Sequence, residues 1–255
     1  MSRCFVAGVG FLLSAVAAVN VASAASIGFV EDFPTDHSYW LNSPGTGGSA
    51  LVTHQASGGP DGSSYASGTY NFVNNEPGVG GSAIVFRGKE VVEGEPSTQA
   101  SGGNLFGNWI NDEISDISMM VRHDATDPIT GAPLALNFFA RLATPANHPA
   151  AVIIKPVPVI AGEWTELRFS VRRFHNPFLI LEGPPTFQFY NSVFSDIGRV
   201  QLGVSVPDAL GHVDQVVTFD IDKVRMIPEP STIALLGVGL VALGFVRQRR
   251  ARLQS

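Results

Sequence analysis

Aromatic side chains set among amides and glycines carry the most suggestive chemistry in this chain. Trp109 lies between Asn104, Asn108 and Asn111, and Trp40, Tyr65 and Tyr70 also stand in polar, Gly- or Asn-rich surroundings. A pyranose has an apolar face and polar edges, so a sugar site pairs an aromatic platform with Asp, Asn, Gln or Arg. Trp109 is the preferred platform, with Trp40, Tyr65 and Asn108 as further ligand-binding candidates. The competing use of such aromatics, pinning long loops onto a core, is the commoner one. Trp164, at the head of an alternating run, reads as core.

Carboxylates are the other chemically capable group. Asp112, Glu113 and Asp116 form a local cluster, and two carboxylates at the right separation hydrolyse a glycosidic bond. Clustered loop acids are more often simply solvated. None of the six histidines sits at i, i+4 around a Glu, as a zincin requires. There is no G-x-S-x-G elbow and no phosphate-cradling glycine loop between a strand and a helix. The single cysteine, Cys4, lies in the N-terminal apolar run, so thiol catalysis and thiolate metal sites are excluded once that run is removed. The reading is a non-enzymatic protein, the alternative a secreted glycan-active enzyme.

The elements that must position these residues read as strands. Short alternating or apolar runs recur between Gly, Pro, Asn and Asp, with no long helical periodicity and no internal repeat. Strands are predicted at 50–54, 83–86, 114–122, 134–142, 151–156, 165–171, 198–206 and 216–226. Ile117, Met119 and Val121 alternate with Ser118, Met120 and Arg122; Leu167, Phe169 and Val171 alternate with Arg168, Ser170 and Arg172. Such strands bury one face and wet the other, as in antiparallel sheets. Residues 42–82 read as loop-dominated, with a tight turn at 58–62, and 177–185 as an irregular connection. The fold class expected is all-β, an antiparallel β-sandwich over residues 25–227.

Both ends carry addresses. Arg3, the apolar run 4–19 and Ala22-Ser23-Ala24 make a signal peptide, residues 1–24, cleaved after Ala24; the alternative is an uncleaved anchor. At the other end Pro228-Glu229-Pro230 precedes the uncharged run 232–246, which is followed by Arg247, Arg249, Arg250 and Arg252. A helix apolar on every side wants lipid or a closed core. Its fifteen residues are short against the roughly 20 that span a bilayer, a gap that arginine snorkelling and local thinning close. The arginines then stay cytoplasmic as a membrane stop, which places everything before residue 232 outside. The alternative is a buried C-terminal core helix with a basic end. Five of the sixteen basic residues lie in these terminal segments. The remaining eleven face twenty-two acids, all between residues 31 and 229, for a net charge of −11. Such a domain is a poor partner for nucleic acid.

Residues 228–255 resemble a PEP-CTERM sorting signal in all three parts: the motif at 228–230, the Gly-interrupted apolar helix and the basic tail 247–255. The resemblance implies a Gram-negative source, export through the inner membrane, a transient membrane stage, and processing by signal peptidase and an exosortase. The final location is then the cell surface or extracellular matrix, with extracellular polysaccharide as the implied partner. The core is similar to the galactose-binding-like jelly roll of many carbohydrate-binding modules and laminin-type domains. That similarity rests on Glu31-Asp32-Phe33 with Trp40, the Gly58-Gly59-Pro60-Asp61-Gly62 turn, Gly162-Glu163-Trp164, and the closing run 219–226 with Asp220 and Asp222. It implies a jelly-roll sandwich, and in such folds a structural calcium bridges the first and last strands, here near Asp32 and Asp222. Asp61 is a further candidate, and hard oxygen ligands of this kind suffice for calcium. No other cofactor is implied. The overall expectation is an exported, exosortase-processed surface or matrix protein that contacts polysaccharide; a purely structural matrix role is the third reading.

Overall fold

A computed structural model describes residue 25 and residues 27–78, 81–90, 99–155, 157–173 and 176–229. In chain order the strands are β1 (Val30–Glu31), β2 (Leu41–Asn42), β3 (Ala50–Leu51), β4 (Thr53–Gln55), β5 (Tyr65–Asn71), β6 (Ser82–Lys89), β7 (Ile114–His123) and β8 (Ala135–Leu136). They continue as β9 (Phe138–Ala143), β10 (Ala150–Ile154), β11 (Val159–Ile160), β12 (Thr165–Ser170), β13 (Leu179–Leu181), β14 (Arg199–Ser205) and β15 (Val216–Pro228). Among the described residues one α-helix, α1 (Phe187–Phe194), lies between β13 and β14.

Two antiparallel sheets form the expected β-sandwich. Sheet A runs β12–β7–β15–β5–β4, with β1 also on β15; sheet B runs β13–β10–β9–β14–β6–β2–β3. A small β8–β11 pair stands apart from both. Ile117, Met119, Val121, Leu167, Phe169 and Phe219 of sheet A meet Phe86, Phe138 and Leu202 of sheet B in one buried core. Each such side chain contributes about 1.5–3 kcal/mol by leaving water.

β7 departs from the simple alternation, because its second face is covered as well. Ser118 and Asp116 are buried under arginines from the flanking strands: Arg225 Nε donates to Ser118 Oγ (3.0 Å) and Arg168 Nη2 to Asp116 (2.8 Å). Arginine stems here do the covering that apolar residues do on the inner face.

Two expectations about loops are corrected. The stretch 42–82 contains β5, a central strand between β15 and β4. Its inward residues include Ala66 and Gly68, too small to show as a hydrophobic period. A Cβ on Gly68 would fall 2.7 Å from Asn42 Cγ of sheet B, so a glycine is what lets the sheets approach here. The segment 177–185 likewise contains β13, the edge strand of sheet B.

Candidate functional site

The outer face of sheet A carries a polar groove, built by strand register. Ser67 on β5 faces Asp220 on β15, and Asp220 faces Arg122 on β7. Trp164, just before β12, extends this row, since Thr165 pairs with Val121. Gln55 and Tyr65 pair one step along. Period-two alternation sends all of these outward, because the intervening residues fill the core.

Arg122 organises the site. Its Nε and Nη2 both lie 2.8 Å from Asp220 Oδ2. Its guanidinium carbon stands 5.2 Å from the Tyr65 ring centroid and 4.7 Å from that of Trp164. The two rings meet edge-on, 5.4 Å apart at 79°, and Trp164 Nε1 donates to Gly58 O (3.1 Å). An Arg so placed gains cation–π energy of about 0.5–2 kcal/mol and holds both rings still. Tyr65 and Trp164 are half-buried. The depression beside them, about 480 Å³, is lined by Tyr65, Gln55, Arg122, Asp124, Thr218 and Asp220. Aromatic surface, an amide, a hydroxyl and carboxylates therefore converge on one concavity, the donor and acceptor mix that a sugar needs. Beneath it His123 is buried: Ala125 N–H donates to Nδ1 (3.2 Å), so Nε2 carries the proton and donates to Val159 O (3.0 Å). Burial holds its pKa below the ordinary histidine value.

Of the expected platform residues only Tyr65 reaches this groove. Trp109, 1% exposed, is core: its Nε1–H donates to Leu105 O (3.1 Å) and its backbone N–H to Phe194 O of α1 (2.9 Å). Trp40 is 0% exposed, donates to Ser101 Oγ (2.9 Å), and packs edge-on with Phe33. Neither can offer a ring face to a ligand. Asn108 serves its own turn, its Oδ1 accepting from Asn111 N (3.0 Å), and Asn104 Nδ2 donates to Ser101 O. Tyr70 is buried with its hydroxyl on Asn75. Trp164, expected in the core, instead stands at the groove. Arg122 gives no signal in sequence beyond an outward position in an alternating run, and Asp220 gives only its place in the closing run 219–226.

Two of the acidic candidates, Asp112 and Asp116, are each tied to a partner. Asp112 Oδ2 accepts from Ala25 N (3.0 Å). Asp116 is tied to Ser115 and Arg168. Burial alone would raise the Asp116 pKa, but these partners hold it below the usual carboxylate range. Glu113 turns its backbone carbonyl to Glu229 N (2.7 Å).

Asp222 lies in a bulge of β15, where the register with β7 shifts between Asp222 and Arg225 and Lys223 takes a φ of 50°. Its carboxylate is 0% exposed and accepts from Lys223 N (2.7 Å) and Ser63 Oγ (3.1 Å). Burial pushes its pKa up to about 6, with the charge of Asp32 adding to the shift. Asp61 is taken by the Lys223 ammonium (2.6 Å), which holds its pKa at about 2. Calcium takes about six to eight oxygens. Among the described residues no group of three or more His, Cys, Asp or Glu stands where it could hold a metal. The expected Asp32–Asp222 pair stands close enough for the charge of Asp32 to act on Asp222.

The start of the sorting tail is docked on the sandwich. Pro228 ends β15 opposite Ile114. Glu229 gives its N–H to Glu113 O and pairs with Arg172 Nε at 3.2 Å. The signal peptide (1–24), Pro230, the apolar run 232–246 and Arg247, Arg249, Arg250 and Arg252 lie outside the described residues. Among the described residues no helix is long and apolar enough to cross a membrane.

Residues 227–250 match the PEP-CTERM protein-sorting motif. The motif covers the expected Pro-Glu-Pro, apolar run and first arginines, and it marks the chain as one sorted for export. No curated protein sequence matches the chain. Among solved structures it is similar to the CBM22-1–GH10 part of Clostridium thermocellum endo-1,4-β-D-xylanase 10B, at 14% identity and a TM-score of 0.44 over 82% of this chain. It spans 30% of that xylanase chain. It is also similar to the family 11 carbohydrate-binding module of the C. thermocellum cellulase Lic26A-Cel5E (11% identity, TM-score 0.43, 81% of this chain and 96% of that one). A third is a Bacteroides vulgatus protein that carries the name putative glycoside hydrolase (12% identity, TM-score 0.34, 80% of this chain and 99% of that one).

Proposed function

We propose that this chain is a non-enzymatic exported protein, released by signal peptidase and processed by an exosortase, whose sandwich contacts extracellular polysaccharide through the Tyr65–Trp164 groove. The observation that carries this reading is the half-buried ring pair fixed by Arg122 beside the hydroxyl and carboxylate groups of Thr218, Asp124 and Asp220. A rigid aromatic surface costs little ordering entropy when a sugar face stacks on it, and the flanking polar groups take the ring hydroxyls. Asp220 is committed to Arg122, which makes it a positioning group for hydroxyls rather than a free acid. The sorting motif supplies the route to the surface, where polysaccharide is the abundant ligand.

The experiment is retention of the mature protein on insoluble and soluble polysaccharides, with Trp164→Ala and Tyr65→Ala as probes. Each substitution should weaken binding about tenfold or more, as loss of a stacking aromatic worth about 1.4 kcal/mol does. Trp164→Ala binding as well as wild type would remove the groove from the account. Release of reducing sugar by the purified protein would overturn the non-enzymatic part.

A further inference from the structure

The sorting motif begins inside the fold. The matched segment starts at residue 227, and Ile227 and Pro228 are the last two residues of β15, paired with Asp116 and Ile114 of β7. Glu229, the acid of Pro-Glu-Pro, then gives its N–H to Glu113 O (2.7 Å) and sets its carboxylate 3.2 Å from Arg172 Nε. Residues 227–229 are thus bound to the sandwich before the apolar run begins.

Strand register brings both sides of β7 to the motif. β12 flanks β7 on the side away from β15. Ser170 faces Asp116, and Val171 N–H still donates to Ser115 O (2.9 Å), which carries Arg172 to the start of β7. Pro228 lies opposite Ile114 on the other side. The Arg172–Glu229 pair therefore bridges the first residue of β7 and ties the two flanking strands together. Helix α1 stands near as well: burial pushes the Tyr190 phenol above its ordinary pKa, and the charge of Glu229 adds to the shift. The contact is weak enough to open. Arg172 Nε is closed to solvent, yet its N–H is not aligned on an acceptor, so charge rather than a directed hydrogen bond holds the carboxylate. The two side chains are 37% and 53% exposed, and exposed pairs of this kind are weak. Release does not strand Arg172, because Asp116 also feels its charge.

We propose that the folded sandwich masks the sorting motif by holding Glu229 on Arg172 and Glu113, and that the exosortase engages only chains in which Glu229 has come free. This inference rests on the exosortase processing proposed above. The carboxylate and backbone amide of Glu229 are the polar handles by which a membrane enzyme reads Pro-Glu-Pro. Both are occupied in the docked state. The enzyme then works on the open fraction of chains, and its apparent affinity falls by that fraction. Opening at a chain end costs far less than global unfolding, so the domain stays folded while the motif is released.

The test joins hydrogen exchange on the purified full chain, held in mild detergent, to pulse-labelled processing in the producing cells, read by mass spectrometry as loss of Ser255. The Glu229 amide should be protected in wild type. Arg172→Ala should raise its exchange rate and the processing rate together by about two- to fivefold, the range that an exposed ion pair spans. Arg172→Glu should raise both further. Arg172→Lys keeps the charge and should leave both near wild type. Melting temperature should stay level across the series, and faster processing confined to variants that melt earlier would overturn the proposal. An unprotected Glu229 amide in wild type would do the same. So would equal processing rates in Arg172→Ala and wild type with Ser255 lost from both, which leaves the processing itself in place. Ser255 kept in every variant would overturn the processing, and the masking with it.

Discussion

Asp222→Asn should make this protein more stable at neutral pH, and the size of the gain follows from where the carboxylate sits. Asp222 is fully buried, and its pKa is raised from 3.8 to about 6, chiefly by burial. The folded state therefore holds a proton that the unfolded chain releases, and this stabilising term is fully present below the unfolded pKa. It is lost as pH rises through about 6. A shift of about two pKa units corresponds to about 3 kcal/mol at 1.36 kcal/mol per unit. Asparagine has the same shape, keeps an oxygen for the Lys223 amide, and offers an N–H to the Ser63 hydroxyl, which can turn to accept. The variant should match wild type below about pH 4 and exceed it by up to about 3 kcal/mol above about pH 7. For a domain of this size that is a rise of about 6–12 °C in Tm. Urea unfolding of both proteins across that pH range reads the difference directly. The opposite trend of His123, whose depressed pKa makes stability fall as pH drops, is common to both and cancels. Parallel pH curves for the two proteins would refute the reasoning. So would a calcium-dependent rise in wild-type stability at about pH 8 that Asp222→Asn lacks, since a bound cation would then be neutralising the carboxylate.

Cleavage after Ala24 would turn the Ala25 amide into an ammonium 3.0 Å from Asp112 Oδ2; Asp112→Asn should then cost the processed protein about 1.5–3 kcal/mol and the unprocessed chain less, by thermal unfolding of each. Gly203→Ala should destabilise by about 1–3 kcal/mol, because the added methyl meets the Phe139 ring and lies 2.8 Å from Ala83 O; circular dichroism melts would check it. Trp109→Phe should cost stability, through the lost Leu105 hydrogen bond, while leaving polysaccharide retention unchanged. Loss of retention at unchanged Tm would return Trp109 to the ligand site. Mass spectrometry of the surface form should find a C-terminus short of Ser255.

The parts of the fold that were legible were those with a strong local period. β7, β12, β14 and β15 announce themselves because large apolar residues recur at every second position. β5 escapes a reading by period because its inner positions include Ala66 and Gly68, the latter small enough for the close approach of Asn42, and these leave no hydrophobic trace. The aromatics mislead for a related reason. Asn104, Asn108 and Asn111 around Trp109 close turns through their own backbone, and turn-forming amides look in sequence just like ligand-binding ones. Trp164 reads as core because an alternating strand follows it, yet it sits one residue before that strand starts, where the chain is still at the surface.

What the sequence determined by itself is what short stretches encode: the sorting tail, the signal-peptide-like pattern, the place of the one cysteine at position 4, the acidity of residues 25–229, and the β period. Tertiary structure alone decided which side chains meet. Arg122 and Asp220 lie 98 residues apart, and only the register of β7 on β15 puts them together under Tyr65 and Trp164. The same register and its bulge bury Asp222 while the neighbouring Lys223 reaches out to Asp61. Exposure, charge partners and pKa depend on packing between segments distant in the chain, and a residue's near neighbours in sequence carry no record of it.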